Sequence, residues 1–322
     1  MVDLGYTLSS EEHPPNDLVA DAVRAEDAGF DFLGISDHFH PWTSQQGESP
    51  FVWSTLGGVA HATDDIPVGV GVTCPIIRYH PATVAHAAGS VAAMLPGRFA
   101  LGVGTGELLN EHVYGDHWPE HAVRLEMLEE AVDVIRKLWT GEQVSHHGEY
   151  YTVQNARLFT LPEETPPIHV SAYGERTAKV AADIGDGFWC VGPQDTVETW
   201  EQAGGEGPRY TQLQMCYAET EEEAVETAYE WWPNDALPGE LSAQLPTPVH
   251  FEQACEMVSK EDIREGSMVT SPDPEDHVES IREAVDAGYD HVYVHQVGPN
   301  QASFVEFYEE EVFPALEDAG LA

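Results

Sequence analysis

The chain has 322 residues, with 57 acidic against 13 basic side chains and a formal net charge of -44. That balance argues against nucleic acid and anionic membrane surfaces as partners: polyanions are bound by Lys and Arg set against phosphates, and here ten Arg and three Lys (Lys137, Lys179, Lys260) are scattered along the chain. Hydrophobic residues still make up 42%, too many for a disordered polyanion, so the acid coats a chain that buries a core.

Apolar, β-branched runs bounded by turn residues predict eight strands, at Asp3–Leu8, Phe30–Ser36, Pro67–Cys74, Arg98–Gly104, Pro167–Ala172, Gly187–Gly192, Tyr210–Tyr217 and Asp290–Val297. Helical patterns alternate with them. The first opens at Asn16 as N-cap and stops at Gly29. The clearest places Leu125, Leu128, Ala131, Val132, Ile135, Leu138 and Trp139 on one face. This alternation predicts a single (β/α)8 TIM barrel over residues 1–322 with function at the C-terminal strand ends, the runner-up being an open doubly wound sheet. Two long irregular stretches interrupt it. Phe39–Phe51, with Pro41 and Trp42, reads as an ordered wall of the site, and an insertion at about 231–268 reads as either a lid or an oligomer contact.

The acid coat would repel itself in dilute buffer, but screening shortens to roughly 3 Å at 1 M salt, which predicts a halophilic protein. No run reaches the ~18–20 apolar residues of a membrane span, and the N-terminus lacks a signal-peptide pattern, so a cytoplasmic location is expected. Cys74, Cys190, Cys216 and Cys255 are too widely spaced for a CxxC motif and are expected as free thiols.

Ser36-Asp37-His38-Phe39-His40-Pro41-Trp42 ends the second strand, where an imidazole can exchange a substrate proton beside an indole wall. His38 and His40 also form an HxH pair, which leaves a metal hydrolase open, with His169 and His295 as the further ligands to be examined. Gly102-Val103-Gly104-Thr105-Gly106-Glu107 ends the fourth strand. Its glycines would let backbone approach a ligand, and Glu107 either faces His38 across the mouth or caps the next helix. Ala172-Tyr173-Gly174-Glu175-Arg176-Thr177 opens a helix whose free N–H groups, with Arg176, suit a phosphate.

Together DHFHPW, TCPIIRYHP (73–81), GVGTGELLNE and YGERTAK resemble the deazaflavin (coenzyme F420) dependent dehydrogenases of the luciferase-like superfamily, which include glucose-6-phosphate and secondary alcohol dehydrogenases. The resemblance implies a barrel, a homodimer and F420 across the mouth. It places Asp37 on the cofactor, His38 and Glu107 as an acid/base pair whose roles could be exchanged, and Trp42 as a substrate wall. Cys74, Thr105, Gly106 and Asn110 would line the ring and ribityl chain, Tyr173, Gly174, Arg176 and Thr177 would hold the phosphate, and a non-proline cis peptide would join Gly71 to Val72. Glu11 falls at a pocket-facing position.

The sequence departs from the sugar-phosphate enzymes it resembles. Gln194 and Gln253 stand where basic residues are expected, Val191 replaces a Thr, and Arg282 is a candidate for the third cation. Losing two cations removes charge-assisted bonds that Gln cannot replace, which favours a neutral alcohol, ketone or unphosphorylated sugar. The alternatives are a glucose-6-phosphate dehydrogenase proper, a methylene-tetrahydropterin reductase, an enzyme that uses FMN, a metal hydrolase and a non-catalytic flavin binder.

Overall fold

Ten strands form: β1 (Asp3–Leu8), β2 (Phe32–Ile35), β3 (Val68–Thr73), β4 (Phe99–Val103), β5 (Val144–His147), β6 (Thr152–Ala156), β7 (Ile168–Ser171), β8 (Gly187–Val191), β9 (Arg209–Met215) and β10 (His291–Gln296). Eight of them, all parallel, close into a barrel in the order β1-β2-β3-β4-β7-β8-β9-β10. Closure is made by β10 against β1, with Leu4 opposite Val292 and Tyr6 opposite Val294, and it rules out the open sheet. Each expected strand is present. The computed structural model describes residues 1–321; Ala322, the last residue of the expected domain, lies outside the described residues.

The antiparallel hairpin β5–β6 lies outside the barrel and was not expected, because its strands carry no buried alternating face. The first helix starts at Pro15, not after Asn16. Proline suits that first position because its missing N–H would have no partner there anyway. Gly29 ends this helix in the left-handed conformation (φ 96°), its N–H bonding back to Ala25 and Glu26. On the helix His121–Trp139, all seven residues of the expected apolar face are buried.

Large rings plug the barrel interior. The Trp189 ring stacks on Tyr210 at 4.5 Å, and its Nε1–H donates to Tyr293 Oη at 2.6 Å. Phe32 and His169 flank this stack. Facing strands make room with glycine: a Cβ on Gly69 would stand 2.7 Å from Trp189, and one on Gly34 2.8 Å from Tyr293. Large against small fills the tapering interior and leaves the strand ends to hold ligands.

The 231–268 stretch folds as four short helical pieces: Pro233–Ala236, Gly239–Ser242, Pro248–Cys255 and Lys260–Arg264. It packs on its own chain. Its Phe251 meets Trp42, Asn234 accepts from Gln46, and the Ala243 carbonyl accepts the Leu108 N–H at 3.1 Å. Among the described residues no helix is long and apolar enough to cross a membrane.

Candidate active site

His38 sits just past β2 with an 11% exposed side chain, its Nε2 3.4 Å from Glu11 Oε1. Its Nδ1 lies 3.2 Å from the His40 carbonyl. A carbonyl can only accept, so Nδ1–H donates to it, and Nε2 is the ring nitrogen left facing the Glu11 carboxylate. Glu11 is buried and is held in turn by Ser36, whose hydroxyl donates to Glu11 Oε2 at 2.6 Å. Ser10 locks that serine through its backbone N–H and its hydroxyl. Trp42 meets the His38 ring edge-on at 4.8 Å and is backed by Phe251 at 5.1 Å. Gln46 fixes the wall by accepting from the N–H groups of Trp42 and Thr43 while donating to Trp231 and Asn234 of the insertion.

Asp37 is buried. Its carboxylate accepts from Thr73 Oγ1, from Arg78 Nη2 at 3.1 Å and from Tyr79 Oη at 3.3 Å. These bonds fix the Asp37 carboxylate, the expected cofactor contact, at the end of β2. Arg78 also bonds Glu111 through its backbone N–H (2.8 Å) and its Nε (3.4 Å). Burial pushes Glu111 up to about 7, against the opposing pull of Arg78. Neither Arg78 nor Glu111 had an assigned role in the sequence analysis. The ion pair forms only because β2, β3 and β4 end side by side.

Past β4, Glu107 stands at the N-cap of the short helix Leu108–Glu111, yet its side chain makes no cap bond. The helix-cap explanation of this acid therefore fails. Thr105 and Gly106 are partly exposed beside it. Gly106 has φ 69°, and a Cβ there would stand 2.5 Å from Cys74 Sγ, so only glycine fits. Burial, then Glu111 and Glu107, push the Cys74 thiol up, which keeps it an un-ionised lining group. Asn110 is buried; its Oδ1 accepts from the Phe39 and His40 N–H groups, and its Nδ2 has no partner. Gly102 and Gly104 also make room for neighbouring strand atoms. A Cβ on Gly102 would stand 2.0 Å from the Val70 carbonyl oxygen, and one on Gly104 2.9 Å from a Val72 methyl. The Gly71–Val72 peptide is cis.

After β7 the Tyr173 ring is 56% exposed, while its hydroxyl accepts the Val191 N–H at 3.0 Å. Gly174 precedes the helix Glu175–Ile184 without a side-chain cap, and nothing would lie within 4 Å of a Cβ on it. Thr177 is buried, its Oγ1 3.3 Å from His121 Nε2. Arg176 is 61% exposed and leans toward Glu126 at 4.0 Å. A second arginine at this corner, Arg124, is buried and was missed by the sequence analysis.

At the rim after β8, Val191 is partly exposed, and the Gln194 amide folds back on the Val191 and Gly192 carbonyls at 3.4 and 3.5 Å. Gln253 is exposed on the insertion. Arg282 does not supply a third cation: it lies on the outer helix Pro274–Asp286, paired with Glu279. The histidines of the metal alternative stay apart. His40 Nδ1 engages the Leu109 carbonyl at 3.0 Å, His295 Nε2 lies 2.7 Å from Glu12, and burial pushes His169, in the barrel interior, down to about 4. Among the described residues no group of three His, Cys, Asp or Glu could hold a metal.

Residues 2–291 match the family model described as luciferase-like monooxygenase, and the chain belongs to that family. It is 36% identical over 333 residues to an F420-dependent glucose-6-phosphate dehydrogenase of Intrasporangium calvum, covering 98% of this chain and 99% of the relative. To the protein of the same description from Rhodococcus erythropolis it is 34% identical, covering 98% of each. The structure of an F420-dependent secondary alcohol dehydrogenase in complex with an F420-acetone adduct matches with a TM-score of 0.90 at 29% identity, over 98% of this chain and 99% of the other. A coenzyme F420-dependent tetrahydromethanopterin reductase from Methanopyrus kandleri has the same fold, with a TM-score of 0.78 at 20% identity over 98% and 99% of the two chains.

Proposed function

We propose that this chain is a coenzyme F420-dependent oxidoreductase that exchanges a hydride between a CH–OH group and the deazaflavin, with a neutral alcohol or unphosphorylated sugar as substrate. The observation that carries the reading is the His38 imidazole, its Nε2 facing Glu11 and its ring against Trp42, at the mouth of a barrel whose relatives are F420 enzymes.

The residues present fit such a cofactor. Gly106 leaves a cradle that a Cβ would fill, Asn110 offers an unpartnered buried donor, and the Gly174 backbone borders open space. Thr105, Gly106, Cys74 and Asn110 would line the ring and ribityl chain, and the Tyr173–Thr177 turn would meet the phosphate. When bound, the deazaflavin supplies the hydride acceptor.

His38 Nε2 accepts the substrate hydroxyl proton, and the Glu11 carboxylate stabilises the imidazolium that results. The Trp42 ring excludes water from one side and orients the alcohol carbon. Glu107, free of a cap bond, would give up the proton that the ring takes on when it has accepted the hydride, while the hydroxyl proton stays with His38.

Two features support a substrate without phosphate. Gln194 is spent on its own loop, and Arg282 lies on the outer helix surface. A second reading, oxidation of glucose 6-phosphate, is favoured by the description shared by the curated relatives. The remaining proposals are halophilic adaptation, supported by the net charge of -44, a cytoplasmic location, supported by four buried free cysteines, and a homodimer, which rests on the resemblance. The test is anaerobic mixing in molar KCl with oxidised F420 and, separately, 2-propanol, glucose or glucose 6-phosphate. Loss of cofactor fluorescence is expected with one of the neutral substrates and not with the phosphate ester; loss with the ester alone would replace the first reading by the second.

A further inference from the structure

Along β9 the buried Thr211, Leu213 and Met215 alternate with the partly exposed Tyr210, Gln212 and Gln214. Tyr210 stacks on Trp189 inside the barrel, so the period of two turns both glutamines into the same lumen, nearer the mouth. The pairing of the strands agrees. Gln212 lies beside Val191 of β8, and its Nε2 reaches past β10 to donate to the Thr7 hydroxyl of β1 at 3.3 Å. Gln214 follows two residues nearer the mouth, beside His295 of β10.

These amides are not used up by the fold. Gln212 Oε1 and both polar atoms of the Gln214 amide make no hydrogen bond to the described residues, and none of them is sealed inside the protein. Deeper in the barrel the lumen is filled by rings; at this level its wall turns to carboxamides open to the mouth. β9 stands between β8, which ends at Val191, and the β10–β1–β2 side, whose ends lead to Glu11 and His38. Both glutamines are therefore on the substrate side of the mouth, apart from Cys74, Thr105, Gly106 and Asn110, which follow β3 and β4. Neither glutamine carries a charge, and the adjacent His295 is engaged by Glu12 at 2.7 Å.

Building on the oxidoreductase reading above, we infer that Gln212 and Gln214 bind substrate hydroxyl groups other than the one oxidised, so that the substrate is a polyhydroxy compound, an unphosphorylated sugar or polyol, in preference to a simple alcohol. A carboxamide offers both donors and an acceptor, which matches a hydroxyl that is itself donor and acceptor. An alcohol with a single hydroxyl would cover these amides without pairing them, and a covered, unpaired amide costs more than a paired one contributes.

The test measures kcat/KM in molar KCl with oxidised F420 for glucose, sorbitol and cyclohexanol, a ring of similar size with one hydroxyl. The proteins are the wild type, Gln212→Leu, Gln214→Leu and Gln214→Asn, with F420 affinity measured by quenching on the same preparations. The wild type is expected to favour a polyhydroxy compound over cyclohexanol by at least about tenfold. Leucine at either position should lower that preference about 5- to 15-fold, mainly through KM for the polyhydroxy compound, with F420 affinity within about threefold of the wild type. Gln214→Asn should keep part of the preference. Equal changes for both kinds of substrate, a wild type that favours cyclohexanol, or variants that lose F420 affinity instead of the preference would overturn this inference alone. A wild type that does not bind F420, or that oxidises glucose 6-phosphate and no neutral substrate, would overturn the reading on which it rests and this inference with it.

Discussion

Glu11 and His38 face each other across the mouth of the barrel, Glu11 Oε1 3.4 Å from His38 Nε2, and the Ser36 hydroxyl holds the other carboxylate oxygen at 2.6 Å. The pair joins the end of β1 to the end of β2, so the orientation of the proton acceptor is built into strand pairing. Glu11→Gln keeps the shape and removes the charge that stabilises the imidazolium. Turnover is expected to fall about 10- to 100-fold with F420 affinity unchanged, as measured by steady-state kinetics beside a binding titration. Ser36→Ala should give a smaller loss of the same kind.

The insertion acts on the site through Phe251, which is fully buried and meets Trp42 edge-on. Phe251→Ala leaves a cavity behind the substrate wall. It is expected to cost about 3–5 kcal/mol of stability and to raise KM for the alcohol more than it lowers kcat. Phe251→Leu should sit between the two in both thermal melting and KM.

Glu111 makes stability depend on pH in a direction opposite to an ordinary salt-bridged carboxylate. Burial raises it from 4.5 to about 7, so the folded protein holds this proton more tightly than the unfolded chain does. Its contribution is fully present below about 4.5 and is lost as pH rises through about 7, with a slope of up to about 1.4 kcal/mol per pH unit. In denaturant unfolding at fixed salt, Glu111→Gln should show a weaker decline across that window than the wild type, whatever its absolute stability without the Arg78 pair.

Gly106 tests the cradle. With φ 69° and a Cβ position 2.5 Å from Cys74 Sγ, Gly106→Ala carries both a backbone cost of about 1–2 kcal/mol and a clash. Lower melting temperature and weaker F420 binding are expected. Adding Cys74→Ala should restore the part due to the sulfur and leave the backbone part, a separation that a double-mutant cycle resolves.

The barrel was legible because its strands are short apolar runs between turn residues, and a strand buried on both faces needs no alternation to be seen. The hairpin β5–β6 was not, since neither face of Val144–His147 is core and its anchor is the distant Glu130, which accepts N–H groups from Tyr150 and Tyr151. Residues at strand ends, His38 and Glu107 among them, could be picked out by chemistry and position. Pairings could not. Arg78 and Glu111 lie 33 residues apart and meet only through closure of the sheet. The one hint in sequence was a charged residue inside the otherwise apolar TCPIIRY run. Arg124 was hidden in an amphipathic helix, where a single basic residue reads as surface, and only its burial sets it apart from Arg176.

The most direct measurement is anaerobic turnover of F420 with 2-propanol or an unphosphorylated sugar by wild type and His38→Ala, with cofactor affinity measured on the same preparations. The account expects both proteins to bind F420 alike, the wild type to bleach its fluorescence, and His38→Ala to do so about 100- to 10,000-fold more slowly. Full turnover by His38→Ala would contradict it.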